Sequence, residues 1–305
     1  MTVPFTVLSG FLGVGKTTAL NRMLRAPLGK KIAVLVNELG RIAIDTSLIV
    51  SRGGDVLELA GGCICCKLGK DDLWDGVADI VKRAKPDALV LETTGIAEPP
   101  AIVKSMEKMG GSAGVRLAGV ICVVDASVGS LHFDRHEEAR IQAESSDRIL
   151  LSKMDIAPEE SVRQTHLLLD KLAPNAERAS FPRGEDAGFS SWMLEQRSLV
   201  GKIPSPRQHK HGQISAVSYS DPAPLIGDLL LSTLDRYNSV LLRAKGYVSL
   251  VGGKTGFLEF AGAKLKLEER AIPDHVDGNE FVLVGEGLDE NELRRSIAAC
   301  RAKKL

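Results

Sequence analysis

The sequence predicts an α/β domain, a mostly parallel sheet with helices on both faces, followed by a smaller α+β domain. Three observations predict it. Over residues 1–200, short and nearly continuous apolar runs alternate with amphipathic stretches, as strands buried on both faces require. A glycine-rich loop of the phosphate-binding type follows the first run. Near residue 200 the alternation stops, and strand-like runs then group between two helical ones.

The elements follow in order. FTVLSG (5–10) is a strand and TTALNRMLRA (17–26) a helix. KIAVLVN (31–37) is the next strand. DALVLET (87–93) leads to the helix PAIVKSMEKM (100–109), and RLAGVICVVD (116–125) to HEEARIQAES (136–145). RILLSK (148–153) leads to PEESVRQTHLLLDKLA (158–173). KIPSPRQHKHGQ (202–213) carries two prolines and a polar run and reads as an exposed linker. Beyond it, QISAVSYS reads as a strand and PLIGDLLLSTLDRY as a helix. LLRAKGYVSLV, TGFLEFAG, KLKLEER and EFVLVGEG read as strands, and DENELRRSIAACRAK as a closing helix. The expected domains are therefore 1–200, a linker at 201–213, and 214–305; the chain of 305 residues is long enough for both cores.

Composition narrows the function. Lysine plus arginine and aspartate plus glutamate both number 39, a balance that argues against nucleic-acid binding and against a polybasic membrane anchor. No apolar run approaches the roughly 18 residues of a membrane span. The start, MTVPFTVLSGF, lacks the features of a signal peptide. A reducing cytoplasm is the expected setting, where clustered cysteines point to metal or thiolate chemistry rather than disulfides.

GFLGVGKTT, from Gly10 to Thr18, fits G-x-x-x-x-G-K-[ST] with Gly10, Gly15, Lys16 and Thr17. Glycines, Gly13 among them, let the backbone wrap phosphate oxygens with N–H groups pointing inward. The following helix start, with Thr18, adds partial positive charge. Lys16 can reach the β and γ phosphates, and the Thr17 hydroxyl can ligate Mg²⁺. LVLETTG (89–95) ends a strand in Glu92 with Gly95 three residues on. Glu92 is placed to act on Mg²⁺ through water, and Gly95 to let the backbone approach the γ-phosphate. RILLSKMD (148–155) offers Ser152, Lys153 and Asp155. A carboxylate can accept both N–H donors on one edge of guanine, and a lysine stem can lie along the base. The usual guanine signature has asparagine where Ser152 stands. Asp155 could instead cap the helix that starts near Pro158.

Three of the five cysteines lie at Cys63, Cys65 and Cys66. Thiolates suit Zn²⁺, Cu⁺ or Co²⁺. In an extended segment Cys63 and Cys65 share one side and Cys66 takes the other. Convergence on one ion needs a bend, which Gly61 and Gly62 permit, and ligands from elsewhere. Buried packing and a redox pair are the alternatives. Cys122, within VICVVD, reads as core, and Cys300 as core or surface. His132 and His136 flank Asp134 beyond the VVDA strand and read as ordinary polar residues, with a place on the nucleotide side of the sheet as the alternative.

GFLGVGKTT, NELGRIAID, GGCICC, ETTGIAEP and SKMD occur in that order. With them the chain resembles the CobW-like branch of P-loop GTPases, relatives of the UreG and HypB metallochaperones, along essentially its whole length. The resemblance implies a P-loop NTPase fold, a CobW-type C-terminal domain, and a GTP-hydrolysing protein that carries a transition metal to a client. Zn²⁺ is the expected metal, with Co²⁺ or Fe²⁺ behind it, alongside GTP and Mg²⁺. The family's C-x-C-C motif maps onto Cys63, Cys65 and Cys66, and its acidic switch residue onto Glu38, a candidate metal ligand and water-orienting group. Lys16, Glu38 and Glu92 are the candidate catalytic residues. Gly10, Gly13, Gly15, Lys16, Thr17, Thr18, Gly95, Ser152, Lys153 and Asp155 are the candidate nucleotide-binding ones. Two positions depart from the pattern. Arg41 stands where members carry a second acidic residue and cannot ligate a cation. The histidine-rich linker of many members is reduced to His209 and His211. The expected partner is a metal-requiring client protein, and a homodimer is a further expectation. A small-molecule kinase with a structural metal site and a redox-sensing module are the competing functions.

Overall fold

A computed structural model describes residues 2–25, 29–37, 56–59, 72–181, 187–196, 214–261, 264–273 and 276–302. They fall into two compact units that divide at residues 207/208. Each is described by itself.

The first unit is a seven-stranded sheet in which every pairing is parallel. Its strands are β1 (Val3–Ser9), β2 (Ile32–Asn37), β3 (Val56–Leu59), β4 (Ala88–Glu92), β5 (Val115–Asp125), β6 (Arg148–Ser152) and β7 (Glu177–Ser180), in the order β3-β2-β4-β1-β5-β6-β7. The helices are α1 (Lys16–Arg25), α2 (Asp72–Ala84), α3 (Pro99–Met109), α4 (Gly129–Arg135), α5 (Glu137–Glu144), α6 (Glu159–Leu172) and α7 (Ala187–Leu194). The parallel α/β architecture is the one expected from the alternating pattern. β3 and β7 are additional to the strands expected. Each has only four residues, and VLEL and ERAS mix apolar with charged or small residues.

The central strands read as unbroken apolar runs because both their faces are covered. All five residues of β4 and all five of β6 are buried. On one face Phe5, Val7, Leu89 and Leu91 pack with Trp74, Val77 and Ile80 of α2 and with Ile102 and Met106 of α3. Trp74 Nε1 donates to Ser105 Oγ (2.7 Å), so the indole is buried without losing its hydrogen bond. α1 and α7 pack together, where Ser190 Oγ donates to Met23 O (3.1 Å). Each fully buried Leu or Val contributes about 1.5–3 kcal/mol. Cys122 lies in this core, and burial pushes its thiol up to about 12 against the opposing pull of Lys16. It is a small apolar side chain here, as its context suggested, and not a thiolate.

The second unit is a five-stranded antiparallel sheet, β8 (Ile214–Asp221), β9 (Leu241–Ser249), β10 (Thr255–Ala261), β11 (Lys264–Glu269) and β12 (Asn279–Glu286), ordered β11-β10-β9-β12-β8. Helices α8 (Gly227–Asp235) and α9 (Glu290–Ala298) accompany it. Phe260, Phe281 and Leu283 pack with Leu230, Leu234, Leu293 and Ile297 of these helices, and Cys300 is part of that core. Asn279 is fully buried and fully used. Its Nδ2 donates to Asp221 O and Ala223 O (2.7 Å each) and its Oδ1 accepts from Ser249 N (2.9 Å). It thereby joins β12 to both its neighbours. Among the described residues no helix is long and apolar enough to cross a membrane.

Leu89 sits at the middle of the first sheet with no exposed surface. Leu89→Ala is expected to cost about 2–5 kcal/mol, read as a lower urea midpoint; a midpoint unchanged from wild type would contradict this account of the core.

Candidate nucleotide and metal site

A parallel sheet places all its strand C-termini along one edge, and the site is assembled there. Pairing aligns Leu8 with Glu92, Ser9 with Cys122, and Asp125 with Ser152. The ends of β1, β4, β5 and β6 therefore converge.

The loop after β1 depends on backbone conformations that side chains disfavour. Gly10, Gly13 and Gly15 have φ of 139°, 73° and 100°. Gly10 is also sterically obliged to be glycine, since a Cβ there would lie 2.4 Å from the Val123 carbonyl oxygen. Lys16 Nζ donates to Gly10 O (2.7 Å) and Phe11 O (3.0 Å), so the lysine at the start of α1 folds back over the loop. The first turn of α1 carries no acidic side chain, which leaves its positive end to an anion. Thr17 Oγ1 donates to Glu92 Oε1 across 2.8 Å. A hydroxyl and a carboxylate meeting beside a phosphate loop form an oxygen donor pair fitted to Mg²⁺. Glu92 itself is buried, 4% exposed. Thr18 is exposed on α1.

The far end of the site is formed by the turn after β6. Ser152 Oγ donates to Val14 O (2.6 Å), which ties this turn to the phosphate loop. Lys153 has φ of 55°, uncommon for a residue with a side chain. Its Nζ pairs with Asp125 Oδ2 at 2.6 Å. Asp125 also accepts from Ser127 N and Oγ (2.9 and 2.6 Å). The lysine is thus pinned at both ends. Asp155 is exposed. The N-cap of α6 is Pro158, with no side-chain cap, so the capping alternative for Asp155 is not realised.

Two features of this edge have no counterpart in the sequence reading, and a third realises the alternative reading of two histidines. Asp125 anchors Lys153. Gln142 of α5, buried, donates to Gly95 O and Ala97 O (3.1 and 3.0 Å). His132 and His136 pack on Phe11 of the phosphate loop, with ring centroids 5.0 and 4.5 Å away; they are structural parts of the site, not ordinary polar residues. The i, i+4 spacing of the two histidines was the available signal, and it did not reveal the partner 121 or more residues earlier in the chain.

Glu38, Arg41, Cys63, Cys65, Cys66, His209 and His211 lie outside the described residues. β3 ends at Leu59, paired with Asn37 of β2, so the cysteine motif follows in sequence from a strand end on the same edge as the phosphate loop. Among the described residues no group of three His, Cys, Asp or Glu side chains is arranged to hold a metal ion.

A parallel sheet with this loop at a strand end defines a P-loop nucleotide-binding protein. Family models and relatives matched by sequence agree. The model of the CobW/HypB/UreG nucleotide-binding domain matches residues 4–179, and that of the CobW C-terminal domain matches 214–301. The chain belongs to the CobW/HypB/UreG family. It is 32% identical to the zinc chaperone YjiA of Escherichia coli, over 98% of this chain and 99% of that one. It is 26% identical to the zinc chaperone CobW of a Sinorhizobium species, over 97% of each. The Zn(II)-bound structure of the E. coli YjiA GTPase aligns with a TM-score of 0.48 at 25% identity, over 99% of this chain and 100% of that one.

Burial pushes the His132 imidazole down to about 4; Asp125 opposes this, while His136 and Lys153 add to it. In the unfolded chain the same group protonates near about 6.5. The unfolded state therefore takes up the proton first, and stability falls as pH drops from about 6.5 toward 4, by at most about 1.4 kcal/mol per pH unit. His132→Gln is expected to flatten that part of the pH–stability curve. Urea midpoints at pH 7 and pH 5 check it, and an equal fall in the variant would contradict it.

Proposed function

We propose that this chain is a GTP-hydrolysing metallochaperone that binds Zn²⁺ as cargo and passes it to a metal-requiring client protein. The observation that carries the reading is the likeness along the full length to zinc chaperones, in a chain with its own C-x-C-C motif between β3 and α2.

The triphosphate lies in the loop from Gly10 to Thr18, with Gly13 and Gly15 opening the backbone to its oxygens and Lys16 on the β and γ phosphates. Thr17, and Glu92 through water, would hold Mg²⁺, which would supply positive charge to offset that of the phosphates. The backbone at Gly95 faces the γ-phosphate. Asp155 accepts the two N–H donors of guanine, and the Lys153 stem lies on the base. The single hydroxyl proton of Ser152 already goes to Val14 O, so Ser152 positions the loops and base recognition falls to Asp155. Glu38 orients the water that attacks the γ-phosphorus; the bond to the β–γ bridging oxygen breaks, and GDP and inorganic phosphate leave, with the water's proton passing to the phosphate. Cys63, Cys65 and Cys66, with Glu38 or water, hold Zn²⁺, or in its place Co²⁺ or Fe²⁺. Glu38 can serve the hydrolytic water or the metal but not both fully at once, so nucleotide state and metal affinity are coupled, and the coupling acts in both directions. The second unit selects the client. A cytoplasmic location, a homodimer and the lack of a nucleic-acid partner complete the proposal.

Cys65→Ser is expected to weaken Zn²⁺ binding with GTP–Mg²⁺ present by at least about tenfold while GTP hydrolysis persists. A titration against a competing chelator measures the first and phosphate release the second. Unaltered zinc affinity would remove the cysteine motif from the cargo site.

A further inference from the structure

The loop from Thr93 to Glu98, between β4 and α3, has no exposed residue. A loop withdrawn from water must find partners for its backbone groups within the protein. Thr93 N donates to Leu8 O (2.9 Å), and Ala97 N donates to Thr94 O (3.1 Å), closing a turn around Gly95 and Ile96. The carbonyls of Gly95 and Ala97 are both taken by Gln142 Nε2, 47 and 45 residues further along the chain. On its other side Gly95 rests against the phosphate loop so closely that a Cβ would lie 2.5 Å from Leu12 Cδ2. The turn is held between Leu12 and Gln142, three residues beyond the Glu92 that meets Thr17.

Core packing does not account for an amide here. Gln142 Oε1 is buried with no hydrogen-bond partner among the described residues. A leucine would fill similar space without desolvating that acceptor, but it would leave the Gly95 and Ala97 carbonyls unpaired. What only the amide supplies is a two-pronged donor that fixes the peptide planes following Gly95 and Ala97.

We infer that Gln142 is a positioning residue for the γ-phosphate. By fixing the Gly95 turn against the phosphate loop, it sets how strongly the site prefers triphosphate to diphosphate and how fast it hydrolyses the former. The inference rests on the reading of residues 10–18 as the GTP site. A diphosphate has no group at the Gly95 turn, so its binding is indifferent to the orientation of that turn.

The test uses the full-length protein with Mg²⁺. Gln142→Leu removes the donors at similar volume, and Gln142→Met does so with a more adaptable side chain should the leucine variant not fold. GTP affinity and single-turnover hydrolysis are each expected to fall about tenfold, in the range of ordinary coupling between sites, with GDP affinity within twofold of wild type. Equal losses for GTP and GDP would mean a merely structural role and overturn the inference, as would no change in either. Wild-type protein that binds GTP normally beside such unaltered variants isolates the failure to Gln142; wild-type protein that binds no GTP would instead overturn the reading of the site.

Discussion

The nucleotide site depends on one steric constraint, the absence of a side chain where β1 turns into the phosphate loop. At Gly10 the backbone passes so near β5 that a Cβ would meet the Val123 carbonyl oxygen at 2.4 Å. This close passage brings the loop over the ends of β5 and β6, where Ser152 can reach Val14 O. It also places Thr17, one residue into α1, opposite Glu92 at the end of β4. Two hydrogen bonds, one to the end of β6 and one to the end of β4, then fix the C-terminal part of the loop and the first turn of α1. Their geometry follows from the sheet order, because β1 lies between β4 and β5.

Much of this was legible in the sequence, for a physical reason. The phosphate loop is local, and its glycines, lysine and threonine must occur at fixed offsets. Strands buried on both faces must be apolar throughout, so VLSG, LVLE and ILLS announce themselves. The second unit is equally plain, since its long strands alternate and its helices are amphipathic. The elements that escaped are those without a local signature. β3 and β7 are four residues long and carry little burial pattern. Gln142 belongs to a helix whose polar residues outnumber its apolar ones, and its importance comes from carbonyls more than forty residues away. His132 and His136 read as ordinary polar residues because Phe11, their partner, is distant in sequence.

The turn after β6 shows how a substitution within a recognised motif alters its division of labour. An asparagine has two donors and an acceptor to share between loop and ligand. Ser152 has one proton, and Val14 O takes it. Lys153 is drawn to Asp125 and held in a left-handed conformation uncommon for a residue with a side chain. That leaves the exposed Asp155 as the group that reads the base in the proposed function.

The central claim is that nucleotide state and zinc affinity are two readouts of one site edge. It is tested most directly by titrating Zn²⁺ into the wild-type protein against a competing chelator, once with a non-hydrolysable GTP analogue and Mg²⁺ and once with GDP and Mg²⁺. The account predicts dissociation constants that differ by about tenfold or more between the two states, a coupling of roughly 1.4 kcal/mol. Equal affinity in both would contradict it.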